Sequence, residues 1–226
     1  VYRFWEGPPA EAQGQIRALV VAGEFPLDKA LIENLPALQL IACFTSGYDG
    51  IDVPWCRARG LPVSHAPGVN HEDVADHALG LILAARRQIA AGDRALRAGG
   101  WTADSKMITP SLKDQRLGVV GLGSIGAAVA RRGAAMRMAV RWWGPREKPA
   151  PWARAGSLLE LAQGTDILVI ACKADDSNRG LISRAVIEAL GPQGLLVNVA
   201  RGRLVDEAAL IAALKDGRLG QAALDV

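Results

Sequence analysis

The chain has 226 residues, 50% of them hydrophobic and 22% charged, with a formal net charge of +3 and a pI near 8.9. That is enough apolar material for one large or two small domains with a substantial core, and with no apolar run long enough to cross a bilayer and no basic-then-apolar leader, a soluble, cytoplasmic protein is expected. Its arginines are scattered without a basic stripe or interleaved aromatics, which argues against nucleic-acid binding, and Cys43, Cys56 and Cys172 lie far apart without a Cys-x-x-Cys or Cys/His cluster, which argues against a disulfide framework and a metal site.

In chain order, Ile16 to Ala22, Leu38 to Phe44 and Leu61 to Ser64 are short apolar runs with β-branched content, the second preceded by a helical pattern near Leu27 to Leu35. Strands alternating with helices predict a parallel sheet. Thr45 to Asp52 is a Gly/Ser/Asp loop at the C-terminal end of the second strand, the edge at which open α/β sheets bind ligands. Composition alone favours a connecting turn. His65-Ala66-Pro67-Gly68-Val69-Asn70 then breaks the chain before a long helix expected from about His71 to Ala98, with Glu72, Asp73 and Asp76 in its first turns and Arg86, Arg87, Arg94 and Arg97 towards its end. Val74, Ala78, Leu81, Ile82, Ala85 and Ile89 form its apolar stripe. His65, His71 and His77 crowd this region, but their spacing fits no metal pair, and they read as surface or capping residues.

From Arg116 the alternation is regular. Strands are predicted at Leu117 to Val120, Ala139 to Trp143, Ile167 to Ala171, Leu195 to Val199 and Ala222 to Val226, with helices over Ile125 to Met136, Leu158 to Gln163, Ser183 to Leu190 and Glu207 to Lys215. Five parallel strands with helical crossovers describe a doubly wound nucleotide-binding domain. Between its first strand and first helix stands Gly121-Leu122-Gly123-Ser124-Ile125-Gly126. Gly121 allows the sharp turn, Gly123 lets the backbone approach a pyrophosphate, and Gly126 lets helix pack on strand, while the helix N-terminus offers N–H groups to the phosphates.

The end of the next strand bears on which dinucleotide binds. A carboxylate there, roughly 20 residues past the glycines, would accept the ribose 2′-hydroxyl of NAD. This chain has Gly144 at that position, followed by Pro145, Arg146, Glu147 and Lys148. The absent carboxylate and the two cations Arg146 and Lys148 favour a 2′-phosphate, hence NADP(H), with NAD(H) possible if the turn is only solvated. Arg201, in Asn198-Val199-Ala200-Arg201-Gly202 beyond the fourth strand, is placed to hold a carboxylate by a two-pronged contact, though taken alone it reads equally as a surface arginine.

Together with Val74-Ala75-Asp76, Val205-Asp206-Glu207-Ala208-Ala209-Leu210, Ala223-Leu224-Asp225-Val226 and Ser46-Gly47-Tyr48-Asp49-Gly50-Ile51-Asp52, these motifs resemble the D-isomer-specific 2-hydroxyacid dehydrogenases, in particular the glyoxylate/hydroxypyruvate reductase branch. The resemblance implies a Rossmann cofactor domain over residues 67–226 and a partial flavodoxin-like α/β substrate domain over residues 1–66, with catalysis in the cleft and a homodimer contact through the long helix. It also implies reduction of a small 2-keto acid to the D-2-hydroxy acid by hydride transfer. Arg201 would bind the substrate carboxylate and polarise the ketone, and the Ser46 and Gly47 loop would add N–H groups to that carboxylate. Asp225 would orient the nicotinamide carboxamide, and Cys172, Asn178, Val199 and Ala200 would line the cofactor cleft.

Lys173 stands where that family often has proline, Ser124 where arginine is frequent and Asp76 where glutamate is common. The chain opens on Val1 rather than methionine and closes on Asp225-Val226 in a strand end. Both ends are therefore expected to continue, with the family's proton-donating histidine and its glutamate partner beyond Val226; the resemblance assigns that role to none of the three histidines present. A cofactor-sensing binding protein or corepressor without turnover is the alternative class. Trp101, after Gly99-Gly100, reads either as a packing residue or as one reaching across the dimer contact.

Overall fold

Ile167–Ile170 and Leu195–Asn198 are buried at every position, so the two strands they form have no solvent face and must be covered by helices on both sides. Each fully buried leucine, isoleucine or valine there contributes about 1.5–3 kcal/mol relative to an exposed one. The computed structural model describes residues 10–102, 104 and 108–226, so residues 1–9 of the expected first domain lie outside the described residues. The chain divides into two compact units, Val1–Asn70 and His71–Val226.

In the first unit, helices α1 (Ala10–Gln13), α2 (Lys29–Glu33) and α3 (Val53–Ala58) alternate with strands β1 (Ala18–Val21), β2 (Leu40–Cys43) and β3 (Val63–Ser64). The strands form a parallel sheet in the order β1-β2-β3, with Leu19 facing Ile41 and Ile41 facing Val63. Its core gathers Leu19, Ile32, Leu35, Ile41, Cys43, Ile51, Cys56 and Leu61. Asp28 and Asp52 start α2 and α3 by accepting the N–H groups of Ala30 and Trp55.

The second unit opens with α4 (His71–Arg86) and α5 (Ile89–Arg97), then runs β4 (Arg116–Val120), α6 (Ser124–Ala135), β5 (Ala139–Trp143), β6 (Ala153–Arg154), α7 (Leu158–Gln163), β7 (Ile167–Ile170), α8 (Arg184–Leu190), β8 (Leu195–Asn198), α9 (Glu207–Lys215) and β9 (Gln221–Leu224). All six strands are parallel, in the order β6-β5-β4-β7-β8-β9. This is the doubly wound Rossmann order, with the reversal between β4 and β7. One apolar core fills the β4–α4–α6 side and another the α7–α8–α9 side.

Two expectations need correction. The sheet has a sixth strand, β6, which is two residues long and exposed, too short to show a periodicity. The long helix is two: Gln88 adopts the left-handed conformation at φ 51° and ends α4. Ala75, Ala78 and Ile82 of α4 are buried, and Arg86 turns its guanidinium onto the carbonyls of Asp166 and Gln193; beyond it α5 buries no residue, and Ile89, the last member of the expected stripe, is 57% exposed. No helix among the described residues is long and apolar enough to cross a membrane.

Candidate active site

The glycine loop forms where β4 leaves the sheet. Gly121 sits at φ +90°, and a side chain there would also meet the Cα and Cβ of Cys172 at 2.6 Å. Its N–H donates to the Trp143 carbonyl at 2.8 Å, tying the turn to β5. A Cβ on Gly126 would fall on the carbonyl oxygen of Gly121, so α6 can approach the turn only because that residue is glycine. Gly123 differs from both. Its φ of −85° suits any residue, and a Cβ there would meet no atom within 4 Å. The protein's own packing does not demand glycine at that point, whereas a pyrophosphate approaching the α6 N-terminus does. No side chain caps α6, which leaves its first N–H groups to a ligand.

Ion pairs hold α6 in place. Arg132 reaches Glu72 and Asp76 of α4, each at 2.6 Å, and Arg131 reaches Glu72 at 2.7 Å. The Arg132 hydrogen bond holds the Glu72 carboxyl below the usual carboxylate range.

At the end of β5, Gly144 is buried, while Arg146 and Lys148 are exposed in the turn that follows. Lys148 donates from Nζ to the Leu122 carbonyl at 3.0 Å, so the structure brings this predicted cation to the glycine loop itself. Arg154, which the sequence reading passed over, donates from Nη2 to the Gly144 carbonyl at 2.8 Å. It sits on β6 opposite Trp142, and only the unpredicted strand places it there.

Beyond β7 and β8 the remaining predicted residues gather on the same sheet edge. Cys172 follows β7 and backs Gly121, and burial pushes its thiol pKa up to about 11. Asn178 shapes the loop after it: its Nδ2 donates to the Lys173 carbonyl at 2.8 Å and its Oδ1 accepts the Asp175 N–H at 2.9 Å. Val199 is buried and Ala200 half-buried.

Asn198, only 1% exposed, organises the rest. Its Oδ1 accepts the Ala200 N–H and its Nδ2 donates to the Arg201 carbonyl, both at 3.0 Å, while its own carbonyl accepts the Asp225 N–H at 3.0 Å. Arg201 also donates from Nη1 to the Ala200 carbonyl at 2.7 Å. One buried residue thus fixes the backbone of both, the arginine through its side-chain amide and the aspartate through its backbone carbonyl. Asp225 carries a further partner that sequence reasoning set aside, His77 of α4, whose Nε2 lies 3.2 Å from Oδ1.

Ser46 and Gly47 belong to the first unit, where their loop is held on several sides. Thr45 Oγ1 accepts the Gly23 N–H and donates to the Gly47 carbonyl, both at 2.9 Å. Ser46 Oγ lies 2.9 Å from the Ala66 carbonyl and 3.1 Å from Asn70 Oδ1, and it accepts the Gly68 N–H. These bonds tie residues 66–70 to the first unit, which runs to Asn70. His65 Nδ1 lies 3.1 Å from the Ser46 carbonyl, and its ring packs on Tyr48.

Residues 79–226 match the family described as D-isomer specific 2-hydroxyacid dehydrogenase, NAD binding domain. The chain belongs to that family. It is 39% identical to a glyoxylate/hydroxypyruvate reductase of Arabidopsis thaliana over 99% of its own length and 74% of the relative's. Among solved structures it superposes on a 2-hydroxyacid dehydrogenase from Ketogulonicigenium vulgare with a TM-score of 0.91 at 40% identity, covering 100% of this chain and 74% of that one. An NADPH-dependent glyoxylate/hydroxypyruvate reductase from Sinorhizobium meliloti, in complex with NADP and malonate, gives 0.87 at 33% identity, with 98% and 69% covered. The resemblance to the glyoxylate/hydroxypyruvate reductase branch read from the motifs therefore holds. Like its relatives, this dehydrogenase is an NAD(P)-dependent oxidoreductase, and a nicotinamide dinucleotide fits its glycine loop. Among the described residues no group of His, Cys, Asp and Glu side chains converges to hold a metal ion.

Proposed function

We propose that this dehydrogenase uses NADP(H) in preference to NAD(H) and reduces a small 2-keto acid, glyoxylate, hydroxypyruvate or a similar compound, to the D-2-hydroxy acid. The cofactor preference rests on the turn after β5: no carboxylate stands at Gly144, and Lys148 is drawn to the Leu122 carbonyl of the glycine loop. A 2′-phosphate there meets two cations, Arg146 and Lys148, which outnumber the one carboxylate of the turn, Glu147. The Sinorhizobium relative is described as NADPH-dependent, which supports the same preference.

When bound, the reduced nicotinamide supplies the hydride. Arg201, its backbone fixed by Asn198, anchors the substrate carboxylate and stabilises the oxygen that gains negative charge. In the first unit, Ser46 and Gly47 offer backbone N–H groups to a substrate carboxylate, and Asp225 of the second orients the carboxamide. Cys172, Val199 and Ala200 line the cofactor site around the turn shaped by Asn178. On this reading the first unit is the substrate domain and the second the cofactor domain. A homodimer is supported by the apolar residues that α5 and its surroundings leave exposed, Ile89, Leu96 and Trp101; at 55% exposure, Trp101 is not packed in the core.

The test uses the full-length protein and compares NADPH with NADH, first by fluorescence titration and then by loss of nicotinamide absorbance with glyoxylate, hydroxypyruvate and phenylpyruvate. NADPH should bind at least tenfold more tightly, the paired change Arg146→Ala and Lys148→Ala should erase that difference, and Arg201→Ala should abolish turnover while sparing cofactor affinity. Equal affinity for the two cofactors would refute the preference. Cofactor binding without turnover of any 2-keto acid would point to a sensing protein.

A further inference from the structure

We infer that His77 is a positioning residue for the cofactor, holding the Asp225 carboxylate in the orientation that receives the nicotinamide carboxamide. The inference rests on the reading of Asp225 given above and extends it to a side chain on another element.

Both partners stand on fixed backbone. Ala75 and Ala78, which flank His77 on α4, are fully buried, and α4 packs along β8 and β9. Asp225 is fixed by its N–H bond to Asn198 at the end of β8. What remains free is the Asp225 side-chain torsion, and the imidazole restricts it by placing Nε2 3.2 Å from Oδ1. Imidazole can donate from Nε2 whether neutral or protonated, since a neighbouring carboxylate selects the Nε2–H tautomer. A carboxylate accepts about four hydrogen bonds, so one taken by His77 leaves capacity for a carboxamide N–H.

Stability is a poor account of this pair. The two side chains are 52% and 41% exposed, and an ion pair so open to water adds little to folding. Its place at the ligand edge of the sheet, on a residue facing the cofactor, gives it a use that stability does not.

The experiment measures binding by isothermal titration calorimetry with two probes, NADPH and 2′-phospho-ADP-ribose, the second lacking only the nicotinamide. The variants are His77→Ala, His77→Gln and Asp225→Asn. His77→Ala should weaken NADPH about fivefold, the worth of one ordering hydrogen bond, and leave 2′-phospho-ADP-ribose within about twofold. His77→Gln, whose amide keeps an N–H donor, should restore NADPH to within about twofold. Equal weakening of both probes by His77→Ala would show a merely structural role and overturn the inference. So would unchanged NADPH affinity in His77→Ala alongside an Asp225→Asn variant that still separates the probes; that result leaves the role of Asp225 intact. If Asp225→Asn fails to separate the probes, the reading of Asp225 fails and the inference falls with it.

Discussion

Two alanine substitutions, Gly126→Ala and Gly123→Ala, should separate folding from binding at the glycine loop. In Gly126→Ala the new Cβ falls on the carbonyl oxygen of Gly121 and lies 3.0 Å from its carbonyl carbon and 3.2 Å from Val119 Cγ1. Because the first obstacle is backbone, no rotamer change relieves it. Overpacking of this kind costs about 3 kcal/mol, of which the better helix propensity of alanine returns about 1. The net loss of about 2 kcal/mol should lower Tm by about 4–8 °C in a protein of this size. In Gly123→Ala the Cβ meets nothing within 4 Å, and φ −85° with ψ −163° suits alanine. Reduced freedom of the unfolded chain, about 0.4–1 kcal/mol, and the poorer N-cap that alanine makes than glycine, roughly 0.5–1 kcal/mol, nearly cancel, so Tm should stay within about 2 °C. The added methyl nevertheless occupies the space through which phosphates reach the α6 N-terminus. Losing even one charge-assisted hydrogen bond, about 1.5–3 kcal/mol, weakens NADPH tenfold or more. Thermal melts by circular dichroism and fluorescence titration read the two effects separately. Wild-type NADPH affinity in Gly123→Ala, or a wild-type melt for Gly126→Ala, would refute the division of roles.

Asp166 accepts from Arg116 Nη2 at 2.6 Å, from Nε at 3.1 Å and from the Arg116 N–H at 2.8 Å, and the side-chain bond is the main reason its carboxyl titrates below the usual range. A folded-state pKa below the unfolded one gives stability that is present above the unfolded value near 4 and is lost as pH falls through the folded value. Asp166→Asn should therefore cost of order 1 kcal/mol at pH 7, discounted for a side chain one-third open to solvent, and should flatten the fall of the urea midpoint below about pH 4; an unchanged acid slope would contradict this. With its thiol pKa near 11, Cys172 should react slowly with iodoacetamide at pH 7.5, accelerate about tenfold per pH unit up to about pH 10, and be protected by NADPH. Peptide mass spectrometry reads this site apart from buried Cys43 and Cys56, and rapid labelling at neutral pH would argue against the burial that raises the thiol.

Local chemistry made much of this molecule legible. The runs at β4, β5, β7 and β8 are apolar because both faces of a parallel sheet are covered, and the glycines at 121, 123 and 126 mark where β4 gives way to α6. Lys148 was visible for a similar reason, since its turn follows a strand whose end could be located. What escaped depends on distance along the chain. The Nε2 of His77 meets a carboxylate at Asp225, and Arg154 meets a carbonyl at Gly144 through an edge strand of two residues. Neither pairing has a periodicity to read. The break at Gln88 was hidden because Arg86, Arg87 and Gln88 are all acceptable in a helix; what stops α4 there is the left-handed turn at Gln88, just after Arg86 commits its guanidinium to the base of the sheet.

The two edges of the second unit's sheet are built by opposite means. At the N-terminal ends of the strands, charge closes the structure: Arg116 pairs with Asp166, Arg86 spans the carbonyls of Asp166 and Gln193, and burial lowers the Arg86 pKa even so. At the C-terminal ends, the fixing bonds are made chiefly by backbone and by one neutral amide, Asn198, while the α6 N-terminus has no side-chain cap. A dinucleotide brings two phosphates and a carboxamide, and a carboxylate substrate brings its own charge. An edge already neutralised by internal ion pairs would have little left to offer them. On the proposed reading, the edge that meets the cofactor keeps its N–H groups and Arg201 in place mainly through neutral hydrogen bonds, which leaves their charge and polarity for the ligands.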